Sequence, residues 1–158
     1  MHQRSRYRSD NCSIGRTLTV VGERWTLLIL REAFYGVRRF EDLQRNLGVA
    51  RNVLAVRLQT LVEHDLLVRH PYRKTGHRER FEYRLTEKGR DLFPALVALM
   101  QWGDRYLADD SGPAVVVTHQ DCGAVVSAEL TCEAGHGGLS ARDTEPRPGP
   151  GAVLEDVV

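Results

Sequence analysis

The sequence predicts a mainly α-helical winged helix-turn-helix with a small β-hairpin wing and a short β-rich C-terminal extension. Three observations predict it. In "RNLGVARNVLAVRLQTL", residues 45–61, a short helical pattern meets a longer one through a single glycine, Gly48. Two stretches rich in Val, Tyr and Phe, "LLVRHPYR" and "RFEYRLT", flank the turn signal "KTGH". After Thr86 a third helical pattern begins, "EKGRDLFPALVALMQWGDRYLA". Helix, helix, helix-turn-helix, hairpin, long helix is the order that this fold requires.

Residues 1–12 are basic and polar and read as a flexible arm. Ser13 is placed to cap a first helix through "IGRTLTVVG". "ERWTLLILREAFYG" gives a second, with Trp25, Leu28, Ile29 and Glu32 at helical spacing and Gly36 as its stop. "RRFEDLQRNLG" gives a third of about two turns, on Phe40, Leu43 and Leu47. The fourth ends near His64. It gathers Leu54, Leu58, Leu61 and Val62 on one face and leaves Asn52, Ala55, Val56, Gln59 and Glu63 on the other. Pro71 makes the first strand an edge or terminal one.

Thr86 caps the long helix, and Pro94 kinks it unless the helix proper begins later. Its apolar stripe is Leu92, Leu96, Leu99 and Met100, with Trp102, Tyr106 and Leu107 beyond. Residues 13–108 thus form the winged helix-turn-helix and residues 109–158 the extension. There "GPAVVVTHQDCGAVVSAELTC" offers two or three short strands before a loop-rich, mobile end.

At 158 residues, 42% hydrophobic and 27% charged, the chain fits one domain with a modest core and a small appendage. "WTLLIL" and "ALVALM" fall far short of the roughly 18 apolar residues of a membrane span. No apolar stretch of signal-peptide type follows the arginines of "MHQRSRYRSDNCS". The expected location is the cytoplasm. Three cysteines without dense spacing argue against a disulfide scaffold.

The net charge of +1 conceals an asymmetry. Residues 1–108 hold 20 of the 22 Lys and Arg and 12 of the 21 Asp and Glu, a net of +8; residues 109–158 hold the other 2 and 9, a net of −7. A basic body with an acidic tail suits a polyanionic partner, although an acidic tail also serves solubility alone.

The B-DNA major groove admits one α-helix, whose first residues contact base edges while the preceding helix crosses the backbone. That geometry needs a buried stripe and a slim, reachable first turn. Arg51 suits guanine or a phosphate, Asn52 an adenine edge, and Ala55 or Val56 a thymine methyl. A purely structural helix pair would show the same stripe. The hairpin adds a second argument, because Arg69, His70, Arg73, Lys74, His77, Arg78 and Arg80 face only Glu79 in its tip region. A solvated edge needs one or two charges to resist sheet pairing. This density favours phosphates or a minor groove.

These pieces also resemble a family. "GERWTLLIL", "RRFEDL", "VLAVRLQTL", "FEYRLTEKG" and "WG", with Cys12 ahead of them, look like the HxlR-type winged-helix transcriptional regulators, a MarR-like group, over about residues 11–103. The resemblance implies a two-fold symmetric homodimer on a double-stranded DNA operator, its first and last helices packing the subunits together. Leu92, Leu96, Met100 and Trp102 would then be subunit contacts. It places Arg51, Asn52, Ala55 and Val56 on the base-reading face and Arg73, Lys74, His77 and Arg78 on the wing. Arg38 and Arg39 become phosphate contacts. It also implies a small-molecule or oxidant effector. Ala50 stands where relatives often carry a capping Ser or Thr, and the wing lacks their common prolines.

Cys12 has two readings. Basic neighbours (Arg4, Arg6, Arg8 and Arg16) and a helix N-terminus favour a reactive thiolate, as in relatives that sense oxidants there. Cysteine is equally a small residue of buried apolar sites. In the tail, His119 and Cys122 in H-x2-C and Cys132 and His136 in C-x3-H have the composition of a tetrahedral zinc site, or of a turn pair that folds without metal.

No G-x-S-x-G, glycine-rich phosphate loop or spaced nucleophile and histidine appears, so no catalytic residues are assigned. The rivals to a DNA-binding regulator are a winged-helix protein-interaction module and a small zinc- or thiol-dependent protein centred on the tail.

Overall fold

The computed structural model describes residues 11–73 and 79–153. Its elements are α1 (Ser13–Val21), α2 (Arg24–Phe34), α3 (Phe40–Leu47), α4 (Arg51–Glu63), β1 (Leu67–Tyr72), β2 (Arg80–Leu85), α5 (Glu87–Arg90) and α6 (Phe93–Tyr106). The strands form one antiparallel pair, from Leu67 opposite Leu85 to Tyr72 opposite Arg80, with Pro71 opposite Phe81. In a two-stranded sheet both strands are edges, which is where a proline is tolerated.

The core lies where α2, α3 and α4 meet the base of the hairpin. Ile29, Leu30, Leu54, Leu58 and Leu61 are fully buried there with Leu43 and Leu67. Leu54, Leu58 and Leu61 recur at helical spacing, so one side of α4 is committed to the interior. Phe40, Leu47 and Val62 pack at its margin. In α2 the buried residues are Thr26, Ile29, Leu30 and Glu32, while Trp25 and Leu28 are only half-buried. The stripe is therefore rotated from the one expected.

Glu32 is tolerated inside because both of its oxygens are used. Oε1 accepts from Arg31 at 2.7 Å, and Oε2 accepts from Asn46 Nδ2 at 2.9 Å, tying α2 to α3. At the α3–α4 junction Gly48 takes φ +61, a left-handed value that ends α3 and lets the chain reverse within three residues.

Three expectations are corrected. Cys12, not Ser13, occupies the cap position of α1, with no side-chain cap bond; Ser13 is the first helical residue. The helix after Thr86 is two helices. Thr86 Oγ1 accepts from Gly89 N at 3.0 Å and donates to Asp65 O at 2.7 Å, closing the short α5 against the end of α4. α6 then restarts with Pro94 in its first turn, where a missing N–H costs nothing. Gly89 permits the closure, since a Cβ there would lie 2.2 Å from Leu66 O.

The third correction concerns the extension. The described residues 109–153 form turns and one isolated antiparallel bridge, Thr118 to Val125, in place of two or three strands. The valines of "AVVV" have no buried surface to pack on, and strand propensity without packing is weak. No described helix is long and apolar enough to cross a membrane.

Candidate nucleic-acid interface

Opposite the buried leucines, α4 presents Arg51, Asn52, Ala55 and Val56, all exposed. They occupy its first two turns, on the side that its own core leaves uncovered. Val56 is 58% exposed although apolar. The Arg51 guanidinium lies 4.8 Å from the centre of the Phe40 ring, so α3 supports the side chain at the start of α4. Further along, Gln59 Nε2 donates to Glu63 at 2.8 Å, closing the exposed face with a neutral pair.

Arg38 and Arg39, both exposed, enter the same surface from the loop before α3. The hairpin fixes that loop: Tyr83 N donates to Arg38 O at 2.8 Å, and Arg39 bridges to Glu82. The Arg39 guanidinium lies 5.0 Å from the Tyr72 ring. A polar cleft of about 520 Å³ opens here, with Arg38, Arg39, Arg45, Asp42 and Glu82 on its walls. Arg45 is paired with Asp42 at 2.5 Å, whereas neither Arg38 nor Arg39 has a described carboxylate within ion-pair distance. Two cations thus stand open beside the reading turn.

On the hairpin, Arg73 is exposed just past β1. Lys74, His77 and Arg78 lie outside the described residues. Arg69 stacks on Phe81 at 5.4 Å, Arg80 reaches Glu41 at 3.4 Å, and Arg84 donates to Glu82 at 2.6 Å. That last bond, with the charges of Arg84, Arg38 and Arg39, holds the Glu82 carboxyl below its ordinary range against a smaller opposing effect of burial. Glu82 therefore stays ionised and orients the cations around it. Burial pushes the half-buried Tyr83 phenol up, so it stays neutral.

Sequence reading missed the residues that hold this surface in place. Phe40 under Arg51 and the Arg38–Tyr83 tie are contacts between elements, with no local spacing to announce them. Arg57 on α4 also reaches Glu23, at the cap of α2, at 3.4 Å. Glu32 was open to detection, since a carboxylate inside "LLILREAF" implies a buried partner.

Of the four residues expected at a subunit contact, Leu92 and Leu96 pack against their own chain's core. Met100 is half-buried and its sulfur lies 3.8 Å from the Tyr35 hydroxyl. Only Trp102 is exposed, and beside it stand Leu99, Tyr106 and Leu107, with Ile14 and Leu18 exposed on α1. Cys12 is half-buried at the N-terminus of α1. In the extension, His119 pairs with Cys122 and Cys132 with His136, as two separate couples.

A family model described as HxlR-like helix-turn-helix matches residues 20–111. An HTH-type transcriptional regulator of Mycobacterium tuberculosis is 53% identical over 145 residues, covering 92% of this chain and 90% of its own. Among solved structures, PA1607, a candidate transcription factor, shares 40% identity at a TM-score of 0.77, over 89% of this chain and 96% of that one. The redox regulator HypR in its reduced form shares 27% identity at a TM-score of 0.53, over 58% of this chain and 90% of its own.

Proposed function

The chain belongs to the HxlR-like helix-turn-helix family of DNA-binding transcriptional regulators, not enzymes, and from that premise we propose that two copies pair to read one near-palindromic operator. The observation that carries this reading is the two-faced α4: a leucine stripe wholly inside, and Arg51, Asn52, Ala55 and Val56 wholly outside. A helix so anchored can enter a major groove without disturbing its own core. Arg51 and Asn52 supply base contacts, Ala55 and Val56 leave room for thymine methyls, and Arg38, Arg39 and Arg73 hold phosphates on either side.

Pairing follows from the apolar surface. Leu99, Trp102, Tyr106 and Leu107 on and after α6, with Ile14 and Leu18 on α1, leave more greasy area on two helices than a monomer usually shows. A two-fold axis through these helices sets the two α4 helices in successive major grooves, with half-site centres about 34–36 Å apart.

The phosphate contacts are tested by replacing Arg38 and Arg39 together with alanine. Affinity falls for every duplex alike, and the slope of log K against log salt becomes shallower by about 2, one for each lost phosphate contact. A loss confined to one operator sequence, with the slope unchanged, would contradict the assignment.

HypR is by its description a redox regulator, which supports an oxidant effector here, with Cys12 as its target. Cys12 opens α1, one of the two helices with an apolar outer face, so oxidation there bears directly on how the subunits meet. Cys12→Ser then abolishes release of DNA by diamide while leaving affinity in reductant unchanged. Release that persists in the variant removes Cys12 as the sensor.

A further inference from the structure

The C-terminal extension carries chemistry that the DNA-reading surface does not use. Among its described residues 109–153 none is fully buried; Val117, Val126, Ala128 and Leu139 reach only partial burial. One isolated bridge and one side-chain tie to α6, Ala128 N donating to Gln101 Oε1 at 3.0 Å, are its main restraints. A segment this small without a core of its own needs a metal, a cross-link or a partner to hold it.

It nevertheless contains two well-formed turns. In the first, Gly123 N donates to His119 O and His119 N to Ala124 O, both at 2.8 Å. In the second, Gly135 N donates to Cys132 O at 2.9 Å and Cys132 N to His136 O at 3.0 Å. Gly123 at φ +70 and Gly135 at φ +85 take conformations that strain any other residue.

Each turn brings one histidine and one cysteine together. His119 Nδ1 lies 3.3 Å from Cys122 Sγ, and His136 Nδ1 lies 3.3 Å from Cys132 Sγ. Tetrahedral zinc, with Zn–S near 2.3 Å and Zn–N near 2.0 Å, sets its sulfur and nitrogen ligands about 3.6 Å apart. Both couples are therefore spaced as one edge of such a tetrahedron. Both thiols are exposed and free of disulfide. His119 Nε2 faces Asp121 at 3.9 Å, an orientation that favours the proton on Nε2 and leaves Nδ1 as the ligand.

Among the described residues no three such side chains gather at one point, so the two edges stand apart. Between Cys122 and Cys132 no helix or strand holds them in that separation.

We propose that His119, Cys122, Cys132 and His136 are the two halves of one Cys2His2 site for a thiophilic divalent cation of the zinc class, and that the ion folds the extension by drawing the turns together. Two thiolates balance the ion's charge and two neutral imidazoles complete the tetrahedron; both thiol protons leave to solvent on binding. With no open position the ion is structural. The extension's net charge of −7 favours cation capture.

The test is titration of the full-length, reduced, metal-free protein with Co²⁺. The expected result is one cobalt per chain, with thiolate charge-transfer absorption and the strong visible bands of a tetrahedral ion, displaced by equimolar Zn²⁺. Cys132→Ser and His136→Ala each remove the tetrahedral spectrum. Neither shifts the thermal transition of the winged-helix domain, whose core contains no residue of the extension. A weak six-coordinate spectrum, two cobalt ions per chain, a spectrum indifferent to His136→Ala, or a Cys122–Cys132 disulfide in the purified protein would each overturn the proposal. None of these outcomes depends on how the chain reads DNA.

Discussion

Arg51→Ala weakens binding to the preferred operator by about 1–3 kcal/mol, a loss of roughly 5- to 150-fold, and relaxes base preference at one position in each half-site. Arg51 is the first residue of α4, exposed, with its guanidinium over the Phe40 ring. The ring restricts where the guanidinium travels, so little of its freedom remains to be lost on meeting a base. Removing an exposed side chain from a helix start changes stability little, within about 0.5 kcal/mol. Affinity and folding are therefore separable in this variant. Quantitative footprinting on operators varied one base pair at a time measures the first, and urea unfolding measures the second. A uniform loss across all base variants would make Arg51 a phosphate contact instead of a reader.

Leu58→Ala has a larger effect on a different quantity. Leu58 is fully buried at the middle of α4, within the cluster that includes Ile29, Leu30, Leu54 and Leu61. Truncating such a leucine loses the transfer energy of its methyl groups and leaves a cavity, together about 2–5 kcal/mol. Small domains have only about 5–15 kcal/mol of stability in total. The urea midpoint should fall steeply, and DNA binding should fail with it on modest warming. Val56→Ala, two residues earlier on the exposed face, should leave the midpoint within about 0.5 kcal/mol of the parent. Equal sensitivity at the two positions would contradict the two-faced description of α4.

How far the sequence foretold this molecule depended on the range of the interaction. Gly48, the leucines of α4 and the strands around "KTGH" are local signals, and the structure follows them. Pro94 was ambiguous because a proline serves equally as a kink or as a first-turn residue. Thr86 and the close approach at Gly89 decided for the second.

The stripe on α6 could not be divided by pattern alone. Leu92 and Leu96 face the chain's own core while Leu99 and Trp102 face outward, and both sets have helical spacing. Strands failed to form in the extension because the valines found nothing to pack against. Among the site residues, Arg51, Asn52, Ala55 and Val56 were legible as the far side of a buried stripe. Phe40, Tyr83 and Glu82, which aim or anchor the cations, were not, since each acts across elements distant in sequence.

Selection of duplexes from a random pool by the purified chain, followed by measuring the mass of the complex on the winning duplex, tests the central claim most directly. Two copies should bind one near-palindrome, half-sites about 10–10.5 base pairs apart, with a preference over unrelated duplex that survives as salt raises the dissociation constants of both. A single copy per duplex, or equal affinity for selected and unrelated sequences at low salt, would contradict it.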